Sequence, residues 1–195
     1  MSMMTVDERA ARVHPRACGD CKLCCKLLPV QDLHPANTWC PHANTNTDTN
    51  APHAKGCKIY NNRPLSCKAF ACMWLADKDF LRSHNIRIRR PDICHYVLDE
   101  SADIVYINNT QFACLQVWAD PKFPNAWRVD KELKKLMSLL GTHRNVTMIR
   151  NGDADGICVV PPTLGPDRRW IERKVRYTKN PTTEAEKMEF FNKVR

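Results

Sequence analysis

The feature that most constrains this chain is a concentration of cysteines in its first half. Four occur within eight positions as C-x2-C-x2-C-C, and four more follow before residue 73. Short C-x2-C spacings let two thiolates reach one ion at about 2.3 Å with little loop-closure cost. The pattern therefore predicts a cysteine-ligated metal centre. Its candidate ligands are Cys18, Cys21, Cys24, Cys25, Cys40, Cys57, Cys67 and Cys72.

Whether these cysteines are ligands or disulfide partners depends on the compartment in which the protein works. Residues 1–16 carry charges and lack the apolar segment of a secretory signal, and no later stretch reaches the length of a membrane span. We therefore expect a cytoplasmic protein that does not enter a membrane. A reducing compartment keeps thiols reduced, which favours metal ligation over disulfide bonds.

The number of cysteines leaves the metal open. Eight thiolates divide into two four-coordinate zinc sites, or they hold one [4Fe-4S] cluster and leave four for a second centre or for redox chemistry. Two zinc ions with a structural role are the leading hypothesis. The alternative is an iron or iron–sulfur protein that acts as an electron carrier or an oxidoreductase. Because Cys24 and Cys25 are adjacent, their side chains leave the backbone in different directions and are expected to serve different metals or roles.

The last two cysteines of the cluster lie on a predicted helix. Pro64 suits its first turn, and Phe70 and Trp74 are expected to point towards a core. On a continuous helix the five-residue separation of Cys67 and Cys72 places their side chains about 140° apart. We therefore expect them not to share one ion unless the helix begins between them.

The remaining cysteines and the histidines are not expected to be ligands. Cys94, Cys114 and Cys158 are solitary in apolar or strand-like stretches, which favours core packing. The histidines form no H-x-x-x-H pair and are predicted to be solvent-exposed. They are His14, His34, His42, His53, His84, His95 and His143.

The second half of the chain contains short segments rich in β-branched and aromatic residues, which are typical of strands. These segments are DIVYINN, FACLQVWAD, NVTMIR, GICVV and RWIERKVRYT. One helix is predicted among them, with Asp130 as N-cap and Gly141 as C-cap. Its apolar face is expected to consist of Leu133, Leu136, Met137 and Leu140. Between the strands, the segment NGDADG from Asn151 to Gly156 is interpreted as a β-turn.

These patterns predict an α+β fold built as one compact unit from two regions. Residues 1–98 form a metal-stapled, loop-rich region that carries the cysteine cluster. Residues 99–195 form a small, mostly antiparallel β-sheet with a few helices.

The formal charge of +9 and the pI near 9.1 suggest a second alternative, a nucleic-acid-binding adaptor. The alternation of Ile86, Arg87, Ile88 and Arg89 predicts a strand with one basic face, and Trp170 and Tyr177 lie beside further basic residues. Such a face is usually a solvated surface. Eight thiolates on two zinc ions would also lower the charge to about +5. We therefore place nucleic acid behind metal as a partner.

The cysteines and their neighbours carry a family resemblance. The run from Cys18 to Cys25, together with GCKIYNNRPLSCKAFAC from Gly56 to Cys72, resembles the CxxCxxCC cysteine-cluster (YkgJ-like) family of zinc- or iron-chelating proteins. The resemblance covers about the first half of the chain. It implies that the eight clustered cysteines are the metal-binding set, with a framework formed by Tyr60, Arg63, Pro64 and Phe70.

Two departures from that family are visible: an Asn/Thr-rich insertion before Gly56, and Lys68 where relatives often carry Arg. A similar cluster occurs in flagellin lysine methylases, which are associated with an iron–sulfur centre. Catalysis therefore stays open, together with a redox or protein partner. The sequence itself contains no pair of carboxylates at a spacing typical of acid–base catalysis, no nucleophile triad and no dinucleotide-binding motif.

Two framework residues are candidates for supporting the metal ligands. Arg63 lies between the two cysteine groups and is expected to donate hydrogen bonds to thiolates or to cap carbonyls. Tyr60, with Phe70 and Trp74, is expected to shield the site and to build the core.

Overall fold

The computed structural model of the protein describes residues 19–30, 33–44, 56–100, 104–107, 110–152, 155–165 and 167–176. Within these ranges, short helices precede a six-stranded open sheet that is mostly antiparallel. The predicted α+β class is confirmed. In the described part of the chain, no helix has both the length and the apolar character to cross a membrane.

The cysteine-rich region consists of short helices joined by loops. Its helices are α1 (Cys24–Leu27), a 3-10 turn (Tyr60–Asn62), α2 (Leu65–Ala69), α3 (Met73–Ala76), α4 (Lys78–Ser83) and α5 (Pro91–Cys94). Pro64 is the N-cap of α2, and the backbone of Phe70 and Cys72 is extended. The helix predicted to start at Pro64 is therefore two helices, and Cys67 and Cys72 lie on opposite sides of the break.

The sheet is built around its longest strand. Its strands are β1 (Tyr96–Asp99), β2 (Ile104–Ile107), β3 (Thr110–Ala119), β4 (Asn145–Arg150), β5 (Asp155–Val160) and β6 (Ile171–Arg176). The main order is β1-β3-β4-β5-β6, and β2 pairs with the first half of β3. The β3–β4 pair is parallel, and the other described pairs are antiparallel.

All five predicted strands form, as β2 to β6. The antiparallel pair of β4 and β5 brackets the predicted NGDADG turn, of which residues 153–154 lie outside the described residues. β1 was not predicted, because YVLD is too short and too uniformly apolar to show an alternating pattern. It continues directly from the cysteine-rich region, so the two predicted regions 1–98 and 99–195 share one sheet.

Two helices lie between β3 and β4: α6 (Ala126–Val129) and α7 (Lys131–Thr142). A parallel pair of strands requires such a crossover. Asp130 caps α7 as predicted, because its carboxylate accepts hydrogen bonds from the amides of Glu132 and Leu133. Leu133, Leu136 and Met137 are buried against the sheet.

The prediction that Gly141 ends α7 is wrong, because the helix continues to Thr142 and its C-cap is His143. Gly141 instead leaves room for the side chains of Thr163 and Pro161. A Cβ at this position would lie 2.2 Å from Oγ1 of Thr163 and 2.5 Å from Cγ of Pro161.

The two faces of the sheet pack against different partners. Alternate residues of a strand point to opposite faces, and Leu115, Val117 and Ala119 of β3 pack in the cluster that contains α7. On the other face, Trp118 packs against the cysteine-rich region. We call that second cluster the cysteine-side core; its buried members are Leu23, Leu27, Cys72, Leu75, Val97 and Trp118.

The segment predicted as a basic strand at Ile86 to Arg89 is not a strand. Ile86 and Ile88 are buried and Arg87 and Arg89 are exposed, as the alternation indicated. The amide of Arg87, however, donates to the Glu132 side chain at 2.7 Å. This contact ties the segment to the start of α7 instead of to a neighbouring strand, so the alternation reflects one buried edge of an irregular segment.

The three solitary cysteines are core residues, as predicted. Cys94, Cys114 and Cys158 are all buried. Burial raises the pKa of the Cys94 and Cys158 thiols to about 11 in each case. Both are therefore neutral near pH 7 and behave as small apolar side chains.

Candidate metal centre

Backbone hydrogen bonds bring three separate cysteine-bearing segments together. The amide of Cys40 donates to the carbonyl of Cys25 at 2.9 Å, which joins the loop before Cys40 to α1. Ala43 then forms an isolated β-bridge with Cys57. The amide of Lys58 donates to the carbonyl of His42 at 2.8 Å. These contacts join α1 to the Cys40 loop, and that loop to the Cys57 segment.

A fourth cysteine, Cys67, lies within electrostatic range of these three. Burial is the largest cause that raises the pKa of the Cys67 thiol, and negative charge on Cys25, Cys40 and Cys57 raises it further. Such an influence places the four sulfur atoms within electrostatic range of one another, although no three of these described thiols are close enough to share an ion. We call Cys25, Cys40, Cys57 and Cys67 the four-thiol group. No two of its members are adjacent in sequence.

Cys25 is the most readily ionised member of this group for which a shift is resolved. A hydrogen bond from the Cys24 side chain lowers its pKa to about 7, against the opposing effect of burial. The positive charges of Arg63 and Lys22 lower it further. A large fraction of Cys25 is therefore thiolate at neutral pH, which is the form that binds metals.

The other described cysteines of the cluster lie in a second neighbourhood. Cys72 is a buried member of the cysteine-side core, and Cys21 and Cys24 pack against it. Burial raises the pKa of the Cys21 thiol, which also hydrogen-bonds with the Asp92 carboxylate. Asp92 is itself held by Arg90, through Nε at 2.7 Å and Nη2 at 2.7 Å. The side chain of Cys24 packs against this core and also hydrogen-bonds with Cys25, so the adjacent pair links the two neighbourhoods.

The stretches that carry Cys21 to Cys72 contain more basic than acidic residues. Residues 21–30, 33–44 and 56–76 contain no Asp or Glu, and their basic side chains are Lys22, Lys26, Lys58, Arg63 and Lys68. Lys26 is paired with Asp120 at 2.7 Å, and Lys22 donates to the carbonyl of Asn44. A surplus of cations favours the ionised form of nearby thiols. The surroundings therefore suit a centre with net negative charge, such as four thiolates around a dication.

The two candidate supporting residues contact each other. The Arg63 guanidinium lies 3.8 Å from the centroid of the Tyr60 ring, and its Nε donates to the Tyr60 carbonyl at 2.9 Å. Arg63 thus caps a carbonyl, one of the two contacts expected of it, and its charge lowers the pKa of Cys25. Tyr60 is 56% exposed, so the prediction that it builds the core is wrong. Phe70 and Trp74 do pack against the cysteine-side core.

The described thiols lie in neighbouring segments but do not form a preformed metal site. No three or more His, Cys, Asp or Glu side chains in the described ranges are arranged as a preformed metal site. None of the described cysteines forms a disulfide. Cys18, the first predicted ligand, lies outside the described residues. By identity, thiolates are the ligands that soft or borderline metals such as zinc and iron prefer.

Two buried polar atoms near this region were not anticipated from the sequence. His34 was predicted to be exposed but is buried, and its Nδ1 hydrogen-bonds with the Pro35 carbonyl at 3.0 Å. Its Nε2, like the indole Nε1 of Trp118, has no hydrogen-bond partner among the described residues. Neither position carries a spacing signal in the sequence, since both depend on long-range packing. We leave His34 outside the candidate ligands, because its described side-chain contact is to its own loop.

Comparison with known proteins adds no relative: no family model, no curated protein and no solved structure matches this chain.

Proposed function

We propose that the protein binds metal through its clustered cysteines. The observation that carries this proposal is the four-thiol group, in which the charges of Cys25, Cys40 and Cys57 bear on Cys67. The four thiols come from separate segments, and residues 21–30, 33–44 and 56–76 around them contain no acidic residue. Ionised together, they repel one another strongly unless a cation lies between them.

The metal favoured by this donor set is zinc, and its favoured role is structural. Four cysteine thiolates at about 2.3 Å form a closed tetrahedral site, which leaves no position for substrate. Metal binding would draw the four sulfur atoms together by rotation of their side chains. A second ion would be bound by the remaining cysteines of the cluster, which are Cys21, Cys24, Cys72 and Cys18, the last being a ligand expected from sequence.

A structural role also agrees with how little regular structure this region contains. The helices around the cysteines, α1 to α3, have 4, 5 and 4 residues. Helices this short are not stable alone in water. A bound ion supplies folding free energy to such a segment directly. Because thiolate ligands persist where thiols stay reduced, we also propose a cytoplasmic location.

Iron is the alternative, because the same thiolates ligate iron–sulfur clusters. The first experiment is therefore metal analysis with an absorption spectrum, on protein made and purified without oxygen. About two zinc ions per chain and no visible colour support the structural proposal. Iron with sulfide and a broad band near 400 nm assigns the cysteines to redox chemistry. Protein that contains no metal, and takes up none when zinc or iron is supplied, contradicts the proposal.

Single substitutions then identify the ligands. We expect Cys25→Ser and Cys67→Ser each to lose about one ion per chain, since a structural site needs four good ligands. Cys158→Ala is the matched control, because Cys158 is a buried cysteine in a cluster away from the candidate ligands. Unchanged metal content in both ligand variants would show that the four-thiol group is not the site.

A further inference from the structure

Two exposed aromatic side chains lie in the segments that carry the cysteines. Trp39 directly precedes Cys40 and is 44% exposed, and Tyr60 follows Cys57 by three positions and is 56% exposed. Neither ring belongs to a hydrophobic cluster of the described residues. Core packing therefore does not account for either of them.

Both rings are linked to the same residue, Cys25. The amide of Cys40, which follows Trp39, donates to the carbonyl of Cys25 at 2.9 Å. The Arg63 guanidinium lies 3.8 Å from the centroid of the Tyr60 ring, and its charge acts on the Cys25 thiol. Such an influence between partly exposed groups extends over about 10 Å. Trp39 and Tyr60 therefore lie around one point of the surface.

Basic side chains accompany the two rings. The charge of Lys22, like that of Arg63, acts on Cys25. The exposed Lys58 is held beside the Cys40 loop, because its amide donates to the carbonyl of His42 at 2.8 Å. Since residues 21–30, 33–44 and 56–76 contain no Asp or Glu, this surface attracts an anionic partner.

The combination of open rings and cations favours single-stranded nucleic acid among anionic partners. Unpaired bases stack on aromatic side chains and on arginine planes, while basic residues contact the phosphates. The Arg63–Tyr60 stack offers both contacts at one position. The bases of a duplex are already stacked on each other and must be extruded before they reach a ring. An acidic protein segment would contact the cations without needing two exposed rings.

We propose that this aromatic–basic patch, formed by Trp39, Tyr60, Lys22, Lys58 and Arg63, binds a short stretch of single-stranded nucleic acid. Bases stack on the two rings, and phosphates lie against the three cations. This binding function is additional to metal ligation, and it does not depend on which metal the cysteines hold.

The test is fluorescence anisotropy of labelled oligo(dT) and oligo(U) of about 12 nucleotides, titrated with the full-length protein at several salt concentrations. We expect binding at about 50 mM salt that weakens steeply as salt is raised. Trp39→Leu and Tyr60→Leu should each weaken binding by about 5-fold or more, because each removes one stacking ring. Tyr60→Phe keeps the ring and should bind like the wild type. The two oligonucleotides show whether DNA or RNA is preferred.

A separate variant tests the phosphate contacts. Lys58→Gln should reduce the slope of log Kd against log salt by about 0.7, the value for one phosphate contact on a single strand. The matched controls are Phe123→Leu, which removes a ring that is 45% exposed outside the patch, and Lys134→Gln, which removes an exposed cation of α7. Neither control should change the affinity or the slope.

The outcomes are decisive even where one variant folds poorly, because Trp39→Leu and Tyr60→Leu are independent and the circular dichroism spectrum and metal content of each are measured first. Absence of binding at low salt overturns the proposal. Binding that depends on Phe123 and Lys134 as much as on the patch overturns it too. Competition by poly-glutamate as strong as that by oligo(dT) would show a general polyanion surface without base stacking, and it contradicts the proposal. Metal content is read separately, so none of these results bears on metal binding.

Discussion

At the scale of single residues, the ion pair between Lys26 and Asp120 joins the cysteine-rich region to the sheet. Lys26 lies on α1 and Asp120 directly follows β3, and their side chains are 12% and 7% exposed. Removing one partner of such a buried pair leaves an uncompensated charge, which costs about 3–5 kcal/mol. We therefore expect Lys26→Met to lower the free energy of unfolding by about 3 kcal/mol, measured by urea denaturation at pH 7.

The control for this variant is Lys135→Met, which removes an exposed pair with Glu132. That loss should remain below about 1 kcal/mol. Equal effects of the two substitutions would show that the Lys26 pair has no special weight.

Acid should weaken the same ion pair. Burial opposes ionisation of Asp120, but the hydrogen bonds from Lys26 and from the amide of Lys122 hold the pKa of its carboxyl below the usual value. A folded-state pKa below the unfolded one stabilises the fold at pH values above the unfolded pKa, and this contribution is lost as pH falls through the folded pKa. The stability difference between wild type and Lys26→Met should therefore shrink below about pH 4. A difference that stays constant down to pH 2 would contradict this assignment.

At the scale of secondary-structure elements, the end of α7 depends on the absence of a side chain. Alanine favours a helix over glycine by about 1 kcal/mol, but at Gly141 its Cβ would overlap Thr163 and Pro161. Overpacking typically costs about 1–3 kcal/mol. We expect Gly141→Ala to lower the melting temperature. Ser138→Ala, within the same helix, is the control and should raise or preserve it. A stabilised Gly141→Ala protein would show that the segment carrying Pro161 moves aside without cost.

The start of α7 depends on two functions of one carboxylate. Oδ1 of Asp130 accepts from the amides of Glu132 and Leu133, and Oδ2 accepts from the buried Tyr96 hydroxyl at 3.0 Å. Asp130→Ala should cost about 2–4 kcal/mol, since it removes a cap and leaves a buried hydroxyl unpaired. Tyr96→Phe should cost about 1 kcal/mol. Thermal unfolding of both single variants and the double variant measures their coupling, and additive effects would exclude the shared contact.

Local patterns predicted the elements of the second half well. Asp130 and the spacing of Leu133 and Leu136 are short-range signals, and so are the β-branched strands. The role of Gly141 depends on a contact with Thr163, more than twenty positions away, which no local pattern contains. The alternation at Ile86 to Arg89 was misinterpreted for a similar reason, since burial of one edge produces the same period without strand pairing.

For the candidate site, the cysteine spacing proposed the ligands, and their roles stay a prediction. The expected separation of Cys24 from Cys25 is not seen, because their side chains hydrogen-bond with each other. Which cysteines gather around Cys67 depends on the loop contacts at Cys40 and Cys57, which join segments distant in sequence. His34 and Trp118 could not be found this way, because each becomes significant only through burial.

At the scale of the whole molecule, the proposed metal should stabilise the two regions unequally. The sheet and α7 share a large apolar core with residues 73–94, whereas the helices that carry Cys24, Cys25 and Cys67 have only 4 and 5 residues. We expect chelation under reducing conditions to increase amide hydrogen exchange in residues 21–76 and to leave β3 to β5 protected. Exchange measured by mass spectrometry before and after re-addition of zinc tests this. Unchanged exchange after complete demetallation would contradict a structural role for the metal.

The position of β6 explains exposed charge on the sheet without a bound ligand. This strand is the last in the described sheet order, and its Glu172, Arg173 and Lys174 are exposed. An edge strand offers backbone groups on which another chain can build, and charged side chains there discourage such growth. With a net charge of +9, two copies also repel each other as they approach. The exposed charges of Arg173 and Lys174 therefore oppose the pairing of a second chain with this last strand of the described sheet.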